Sequence, residues 1–128
     1  MTEPLKIFHI IAGGGAGGAE TFCLDAIQAL HDLGVSQTVV CRPHPHYVET
    51  LDRLGIPYHV FAFSWTDRLW GGRAKIARWI AAEDPDLVHA WMGRAASFVP
   101  AQAARPVLGW FGGYYDLKRY RTCDYFMG

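Results

Sequence analysis

The first stretch of this sequence that could bind a ligand is a run of glycines near the amino terminus. Residues 13–18 read GGGAGG and separate an apolar segment from a segment with the pattern of a helix. A glycine-rich turn between a strand and a helix lets an anion approach the backbone N–H groups and the positive end of the helix dipole. The loop therefore predicts a phosphate site, unless its glycines serve only the tight packing of strand against helix.

Two kinds of phosphate loop can be tested against the residues around these glycines. Gly13 and Gly18 have the spacing of a P-loop, but Ala19 stands where that loop requires a lysine, which excludes it. Gly13 and Gly18, together with Gly15, also fit the dinucleotide pattern G-x-G-x-x-G, which expects an acidic residue at the end of the second strand. Arg42 stands there instead. Because an arginine could accept the 2′-phosphate of NADP, an NADP-binding loop stays open and an NAD-binding loop is disfavoured.

A segment in the middle of the chain interleaves basic residues with tryptophans. The plainer interpretation is an amphipathic surface helix that packs on the sheet. The sharper hypothesis is a patch that rests on a membrane surface of anionic lipid. The residues of this patch are Arg68, Trp70, Arg73, Lys75, Arg78 and Trp79.

The residue types that bind metals are sparse. His44 and His46 lie close together, but no carboxylate or cysteine cluster completes a site around them, so a plain loop is favoured. Cys23, Cys41 and Cys123 are odd in number and contain no C-x-x-C pair, which argues against a disulfide framework and favours a reducing cytosol. We expect neither a metal nor a resident cofactor.

Apolar runs and helical patterns alternate along the whole chain. Such alternation predicts an α/β fold with a doubly wound, Rossmann-like parallel sheet, right-handed crossovers and helices on both faces. In the first helix we expect a buried face formed by Phe22, Ala26, Ala29, Leu30 and Leu33, and a C-cap at Gly34. The predicted strands span residues 6–12, 37–41, 58–63, 87–90 and 107–111, and the predicted helices span residues 19–33, a segment ending near Leu54, 69–83 and 94–104.

Bulk properties limit the classes of protein further. The chain has 128 residues, 51% of them apolar, and a formal net charge of zero, which argues against disorder and against a nucleic-acid partner. The amino terminus lacks the positive region of a signal peptide, and no stretch approaches the ~20 apolar residues of a membrane span. The last residues, CDYFMG, predict the start of another buried strand. We therefore expect the front piece of a longer protein, with an uncovered apolar edge.

Five segments in the same order resemble the N-terminal domain of the retaining family-four glycosyltransferases. They are GGGAGGAETF, LHDLGVSQTVVCR, LDRLGIPYHVF, EDPDLVHAW and GWFGGYYDLKRYRTCDYFMG. The resemblance implies a two-domain GT-B fold in which residues 1–128 form an incomplete, acceptor-side domain and the C-terminal donor domain is absent. It also implies that Gly15, Gly17 and Gly18 approach the diphosphate of a nucleotide-sugar donor. Glu20, in the first turn of the helix, suits a capping role better than a catalytic one.

Residues near the fourth strand are candidates for contact with the sugar or the acceptor. His89 could bond a sugar hydroxyl or phosphate, or be a neutral histidine bonded within the sheet. Trp91 could stack on a sugar ring or pack in the core. Arg94, in the first turn of a helix, opposes the helix dipole, so its charge favours a partner anion such as an acceptor phosphate or carboxylate. We expect all three after the strand, on the same rim as the glycine loop.

The segment after the fifth strand departs from the family pattern. The family often has a histidine there that contacts the donor sugar, whereas this chain has Trp110, Phe111, Gly112 and Gly113. Gly112 and Gly113 could still donate backbone N–H groups to the sugar. No catalytic residue can be carried over from the resemblance.

These observations predict a hexosyltransferase-like enzyme that moves a sugar, with retention, from a nucleotide-sugar donor to a glycan or lipid-linked acceptor. We expect it in the cytoplasm, at the inner face of the membrane, and we expect this fragment alone to be inactive. Two alternatives stay open: an NADP-binding oxidoreductase domain, and a non-catalytic binding module of the same fold.

Overall fold

Parallel strands form the centre of the molecule. The computed structural model describes residues 5–14, 18–100, 105–110 and 120–127, except for the side chain of Arg68. Within these residues the sheet has six strands in the order β3-β2-β1-β4-β5-β6, and every neighbouring pair is parallel. The predicted doubly wound α/β fold is confirmed. The strands are β1 (Lys6–Ile11), β2 (Ser36–Cys41), β3 (Tyr58–Val60), β4 (Leu87–Trp91), β5 (Val107–Trp110) and β6 (Tyr125–Met127).

Helices cover both faces of this sheet. One core cluster joins Phe8 and Ile10 of β1 to Ile76 of α4 and to Phe98, which follows α5. The other joins Ile11 to residues of α1 and α2. Because successive strand residues point to opposite faces, β1 contributes to both clusters and is apolar almost throughout. The helices are α1 (Gly18–Asp32), α2 (Pro45–Leu54), α3 (Trp65–Leu69), α4 (Gly72–Glu83) and α5 (Met92–Ser97).

The predicted buried face of α1 is wrong. The buried residues are Cys23, Leu24 and Ile27, whereas Phe22 and Leu33 are 51% and 79% exposed. The stripe from Cys23 to Ile27 faces the strands, and Phe22 instead stacks on Trp110, with ring centroids 5.5 Å apart. The predicted end of α1 is confirmed, since Gly34 has a φ of 83° that favours glycine.

The single helix predicted over residues 69–83 is two helices. Ser64 begins α3 with a capping box, in which its hydroxyl accepts from the Asp67 N–H and the Asp67 carboxylate accepts from the Ser64 N–H. Gly71, with a φ of 94°, then turns the chain into α4. Gly72 packs so closely that a Cβ there would lie 2.6 Å from the Asp67 carbonyl oxygen.

Two other predicted elements also differ. The helix expected over residues 94–104 begins at Met92 and ends at Ser97, and residues 101–104 lie outside the description. The strand predicted in the last residues is confirmed as β6, which is exposed rather than buried and so forms the uncovered apolar edge expected of an isolated front piece. β6 is the edge of the described sheet, with Tyr125, Phe126 and Met127 all exposed. None of the helices formed by the described residues combines the length and apolar composition needed to cross a bilayer.

Candidate functional site

The loops that could bind a ligand meet at one edge of the sheet. Because the strands are parallel, the segments after β1, β2 and β4 all lie at their carboxyl ends. A cleft of about 300 Å³ is lined by Gly13, Gly14, Trp91 and Arg94, among others. A neighbouring cleft of about 410 Å³ is lined by Arg42, by Arg94 again and by the residues that begin α3. Arg94 therefore borders both.

The first half of the glycine loop is held by two side chains. The Tyr47 hydroxyl donates to the Gly13 carbonyl oxygen at 3.1 Å. Burial, and then the nearby Glu20 charge, raises the pKa of Tyr47, so its phenol keeps the proton it donates. The Glu20 side chain packs against Gly13, where a Cβ would collide with Glu20 Oε1. A side chain at this position would therefore displace the Glu20 side chain.

The predicted phosphate site is only partly described. Gly18 is the first residue of α1, and a Cβ at that position would meet nothing within 4 Å. Gly15 and Gly17 lie outside the described residues, as do Gly112 and Gly113. The assignment of these glycines to a donor stays a prediction.

Two arginines give the carboxyl edge its positive charge. An Nη1 atom of Arg42 lies 3.7 Å from the position that a Cβ on Gly14 would occupy. Arg94 is exposed in α5, beside the same loop. None of the described residues that line either cleft is acidic. The sequence singled out both arginines, and the structure brings them to one cleft.

The positions of His89 and Trp91 differ from the prediction. Both lie within β4 rather than after it, and both are buried, His89 with 6% of its surface exposed. Their rings stack with centroids 4.2 Å apart. Trp91 borders the glycine-loop cleft, but its ring belongs to the core beside Ile11. Burial of these rings favours packing over direct contact with a sugar.

A buried hydrogen-bonded chain links Trp91 to α1. Trp91 Nε1–H donates to His9 Nδ1 at 3.0 Å, and His9 Nε2 lies 2.8 Å from Gln37 Oε1. Gln37 Nε2 in turn donates to the carbonyl oxygen of Ile27 at 2.9 Å. Since an indole nitrogen only donates, His9 must accept at Nδ1 and carry its proton on Nε2. Four elements, β4, β1, β2 and α1, are joined by this chain.

Sequence analysis missed His9, although it contained the signal. His9 interrupts an otherwise apolar strand, Gln37 sits in the next one, and His9 is in register with His89. A buried polar side chain costs free energy unless it finds a partner. Polar residues in neighbouring buried strands could therefore have been expected to pair.

Burial keeps both histidines neutral. It lowers the pKa of His9 to about 4, although the bond to Gln37 acts in the opposite direction. It lowers the pKa of His89 to about 3, and the neighbouring His9 adds to that effect. His89 Nε2 is buried without a hydrogen bond to any described residue. Neither ring can act as a cation near neutral pH.

The basic segment is arranged differently from the prediction. Trp70 is 83% exposed, and Lys75 and Arg78 are exposed beside it. Trp79 is not part of that surface, because it is half-buried, stacks on His59 at 4.4 Å and lies under Lys75. The side chain of Arg68 lies outside the description.

Two other predicted features have local roles. His44 caps α2, and its Nδ1 accepts from the backbone N–H of His46 at 3.2 Å. Cys23, Cys41 and Cys123 are free cysteines. Arg73 Nε donates to the carbonyl oxygen of Ser97 at 2.8 Å, which ties α4 to α5.

Replacing Trp91 by phenylalanine tests the buried chain. Trp91→Phe removes the donor to His9 Nδ1 and leaves that nitrogen unpaired in the core, which costs about 1–3 kcal/mol beyond the lost contacts. Trp110→Phe is the matched control, because the Trp110 indole makes ring contacts but no hydrogen bond with the described residues. Urea unfolding of both variants measures the difference. Equal losses of unfolding free energy would contradict the chain.

The same histidines predict a loss of stability in acid. In the unfolded chain a histidine titrates near 6.5, whereas in the fold His9 does so near 4. Between these values the unfolded state binds more protons, so the free energy of unfolding falls as the pH drops from about 6.5 towards 4, by up to about 3 kcal/mol from His9. Urea unfolding at a series of pH values checks this. His9→Gln should remove the share of His9 and leave that of His89, whose pKa is about 3, so the dependence becomes shallower, whereas the exposed control His31→Gln should leave it unchanged.

Known proteins resemble this chain over most of its length. The model of the family described as Glycosyltransferase Family 4 matches residues 16–120. The lipopolysaccharide core biosynthesis glycosyltransferase LpsD of Rhizobium meliloti (strain 1021) is 31% identical over 122 residues, which are 92% of this chain and 34% of LpsD. The chain thus spans about a third of the length of that curated relative.

Solved structures share the fold at low identity. MurG of Acinetobacter baumannii superposes with a TM-score of 0.73 at 17% identity, over 96% of this chain and 40% of MurG. Alr3699/HepE of Anabaena, in complex with UDP and glucose, gives a TM-score of 0.66 at 22% identity, over 90% of this chain and 33% of HepE. The α/β fold with its parallel sheet is that of GT-B glycosyltransferases. Since the family model covers most of its residues, the chain belongs to glycosyltransferase family 4.

Proposed function

We propose that this chain is the N-terminal, acceptor-side domain of a retaining GT-B glycosyltransferase. The longer enzyme transfers a hexose from a nucleotide-sugar donor to a glycan or lipid-linked acceptor. The family match over residues 16–120 carries this proposal. Two features support it: HepE is described in complex with UDP and glucose and also with UDP-glucose, and LpsD is a lipopolysaccharide core glycosyltransferase.

The glycine loop is the proposed contact with the donor. Gly15, Gly17 and Gly18 let the diphosphate approach the backbone, and the amino end of α1 adds a favourable dipole. Gly112 and Gly113 donate N–H groups to the transferred sugar. The nucleotide sugar is a substrate, and the proposal includes no metal and no resident cofactor.

One observation favours a second candidate function. Arg42 lies beside the glycine loop, where the 2′-phosphate of NADP would sit in a dinucleotide-binding domain. NADPH titration separates this oxidoreductase alternative from the transferase, since only the former predicts that NADPH binds more tightly than inorganic phosphate and that the difference is lost on Arg42→Ala. A non-catalytic binding module would bind a sugar ligand and show no turnover at any chain length.

Activity should depend on the donor domain. A protein extended by that domain should release UDP from a UDP-sugar in the presence of acceptor and give a product with the donor's anomeric configuration, read by NMR. The chain of 128 residues should release none, because most contacts to the nucleotide are missing. Turnover by this chain alone, or an inverted product, would contradict the proposal.

We also propose that the enzyme works in the cytoplasm, in contact with the inner face of the membrane. The surface around Trp70 supports this, since it combines exposed apolar side chains with Arg73, Lys75 and Arg78. Aromatic and leucine side chains enter the lipid interface, while each basic residue near an anionic surface adds about 1 kcal/mol. The neighbouring Leu69 is also exposed.

Liposome flotation tests this membrane contact. The chain should float with vesicles that contain phosphatidylserine and not with neutral vesicles. Trp70→Ser combined with Arg78→Gln should reduce the bound fraction severalfold, whereas Leu33→Ser, an exposed apolar residue at the end of α1, should not. Failure of the unmodified chain to bind either kind of vesicle would remove the proposal.

A further inference from the structure

Arg42 and Arg94 carry charges that the described residues leave unbalanced. They line the same cleft of about 410 Å³, and neither side chain makes an ion pair with a described carboxylate. The ion pairs found among those residues lie elsewhere, between Lys6 and Glu83 and between Arg105 and Asp84. Two like charges that share a cleft repel one another, so an anion between them would be bound favourably.

Arg42 has a stronger requirement for a partner than a surface arginine. The residue is half-buried, and its Nε is fully buried with no hydrogen bond to any described residue. A buried donor without an acceptor costs free energy, more so when the group is charged. A guanidinium binds oxyanions through two parallel N–H groups, which match a carboxylate or a phosphate. Nε itself is too buried to meet a ligand, so an anion would bind the part of this guanidinium that lines the cleft, which has no ion-pair partner among the described residues.

The remaining walls of the cleft suit a sugar rather than a bare ion. Trp65 lies at its border and is 73% exposed, so one face of an indole is available for stacking. Phe63 lines the cleft with a φ of 56°, and Met92 of the adjoining cleft has a φ of 74°. Backbone strain of this kind in non-glycine residues concentrates at functional sites.

We propose that Arg42 and Arg94 bind a phosphate or carboxylate group carried by the sugar acceptor. This inference rests on the proposed transferase function and deepens it: the acceptor is an anionic glycan, such as a phosphorylated sugar or a sugar acid. The arginines bind and orient this group through charge-assisted hydrogen bonds, and Trp65 packs on the ring that carries it.

The sheet order separates this cleft from the region proposed for the transferred sugar. The cleft runs from Arg94 towards Phe63 and Ser64, which follow β3. β3 is the outermost strand on one side of the sheet. β5, which precedes Gly112 and Gly113 in the sequence, lies on the other side of β1 and β4. Since we assign the donor sugar to the β5 side and the donor diphosphate to the glycine loop after β1, the β3 side is left for the acceptor.

Calorimetric titration of the 128-residue chain tests the proposal. The probes are glucuronate and inorganic phosphate, with glucose as the neutral comparison and UDP as a stand-in for the donor. Glucuronate or phosphate should bind saturably in the millimolar range and glucose more weakly, and rising salt should weaken binding of the anions. Whichever anion binds more tightly identifies the group on the acceptor.

Substitutions then assign that binding to the cleft. Arg94→Gln and Arg42→Gln should each weaken anion binding about tenfold or more, as expected for loss of a charge-assisted hydrogen bond. Arg42→Lys, which keeps the charge but not the paired N–H groups, should restore part of it and guards against a folding defect in the glutamine variant. Arg53→Gln is the matched control. Arg53 is exposed at the carboxyl end of α2, which lies towards the amino ends of the strands and away from the cleft.

Three outcomes would overturn the proposal. The first is no saturable binding of either anion, and the second is equal affinity in all the arginine variants. The third is displacement of the bound anion by UDP, with UDP binding lost in the same variants, which would assign the arginines to the donor diphosphate. The transferase function is tested separately, by the turnover of a protein extended by the donor domain. If that protein shows no turnover, this chain could still bind anions through Arg42 and Arg94.

Discussion

The burial of β1 on both faces is the constraint on which the remaining elements depend. Phe8 and Ile10 face α4 and α5, while Ile11 faces α1 and α2, so helices must cover both sides of the sheet. β2 and β4 flank β1 with parallel pairing. Parallel neighbours bring the ends of all three strands to the same edge. The glycine loop, Arg42 and Arg94 meet there as a direct result.

The hydrogen-bonded chain from Trp91 through His9 and Gln37 to Ile27 adds a polar constraint within the apolar core. Its bonds fix the register of β4, β1 and β2 relative to α1, since a shift of one residue would strand His9 or Gln37 without a partner. The hydrogen-bonded chain ends at Trp91, which also borders the glycine-loop cleft. A neutral His9 therefore holds a residue at the border of this cleft.

The two clefts at the carboxyl ends of the strands differ from the core in their polar groups. Their described lining contains two arginines and no acidic residue, and the buried Arg42 Nε has no partner among the described residues. Other buried polar atoms, such as His89 Nε2, also have no described partner, but only Arg42 among these residues lines either cleft. A partly buried charged group without a described partner at this edge is consistent with a binding role.

The sequence by itself determined the alternation of strands with helices (apart from α3), the parallel sheet, the ends of α1 and α2 and the family. Apolar runs, caps and ordered motifs are local signals that require no tertiary contacts. Only the tertiary structure decided which face α1 buries, that the chain turns at Gly71, that His89 and Trp91 are interior, and that His9 is bonded. These features depend on residues distant in sequence: Phe22 finds Trp110, and His9 finds Trp91 across the sheet. Arg42 and Arg94 also meet because of tertiary structure. They follow β2 and β4, which the strand order places on either side of β1.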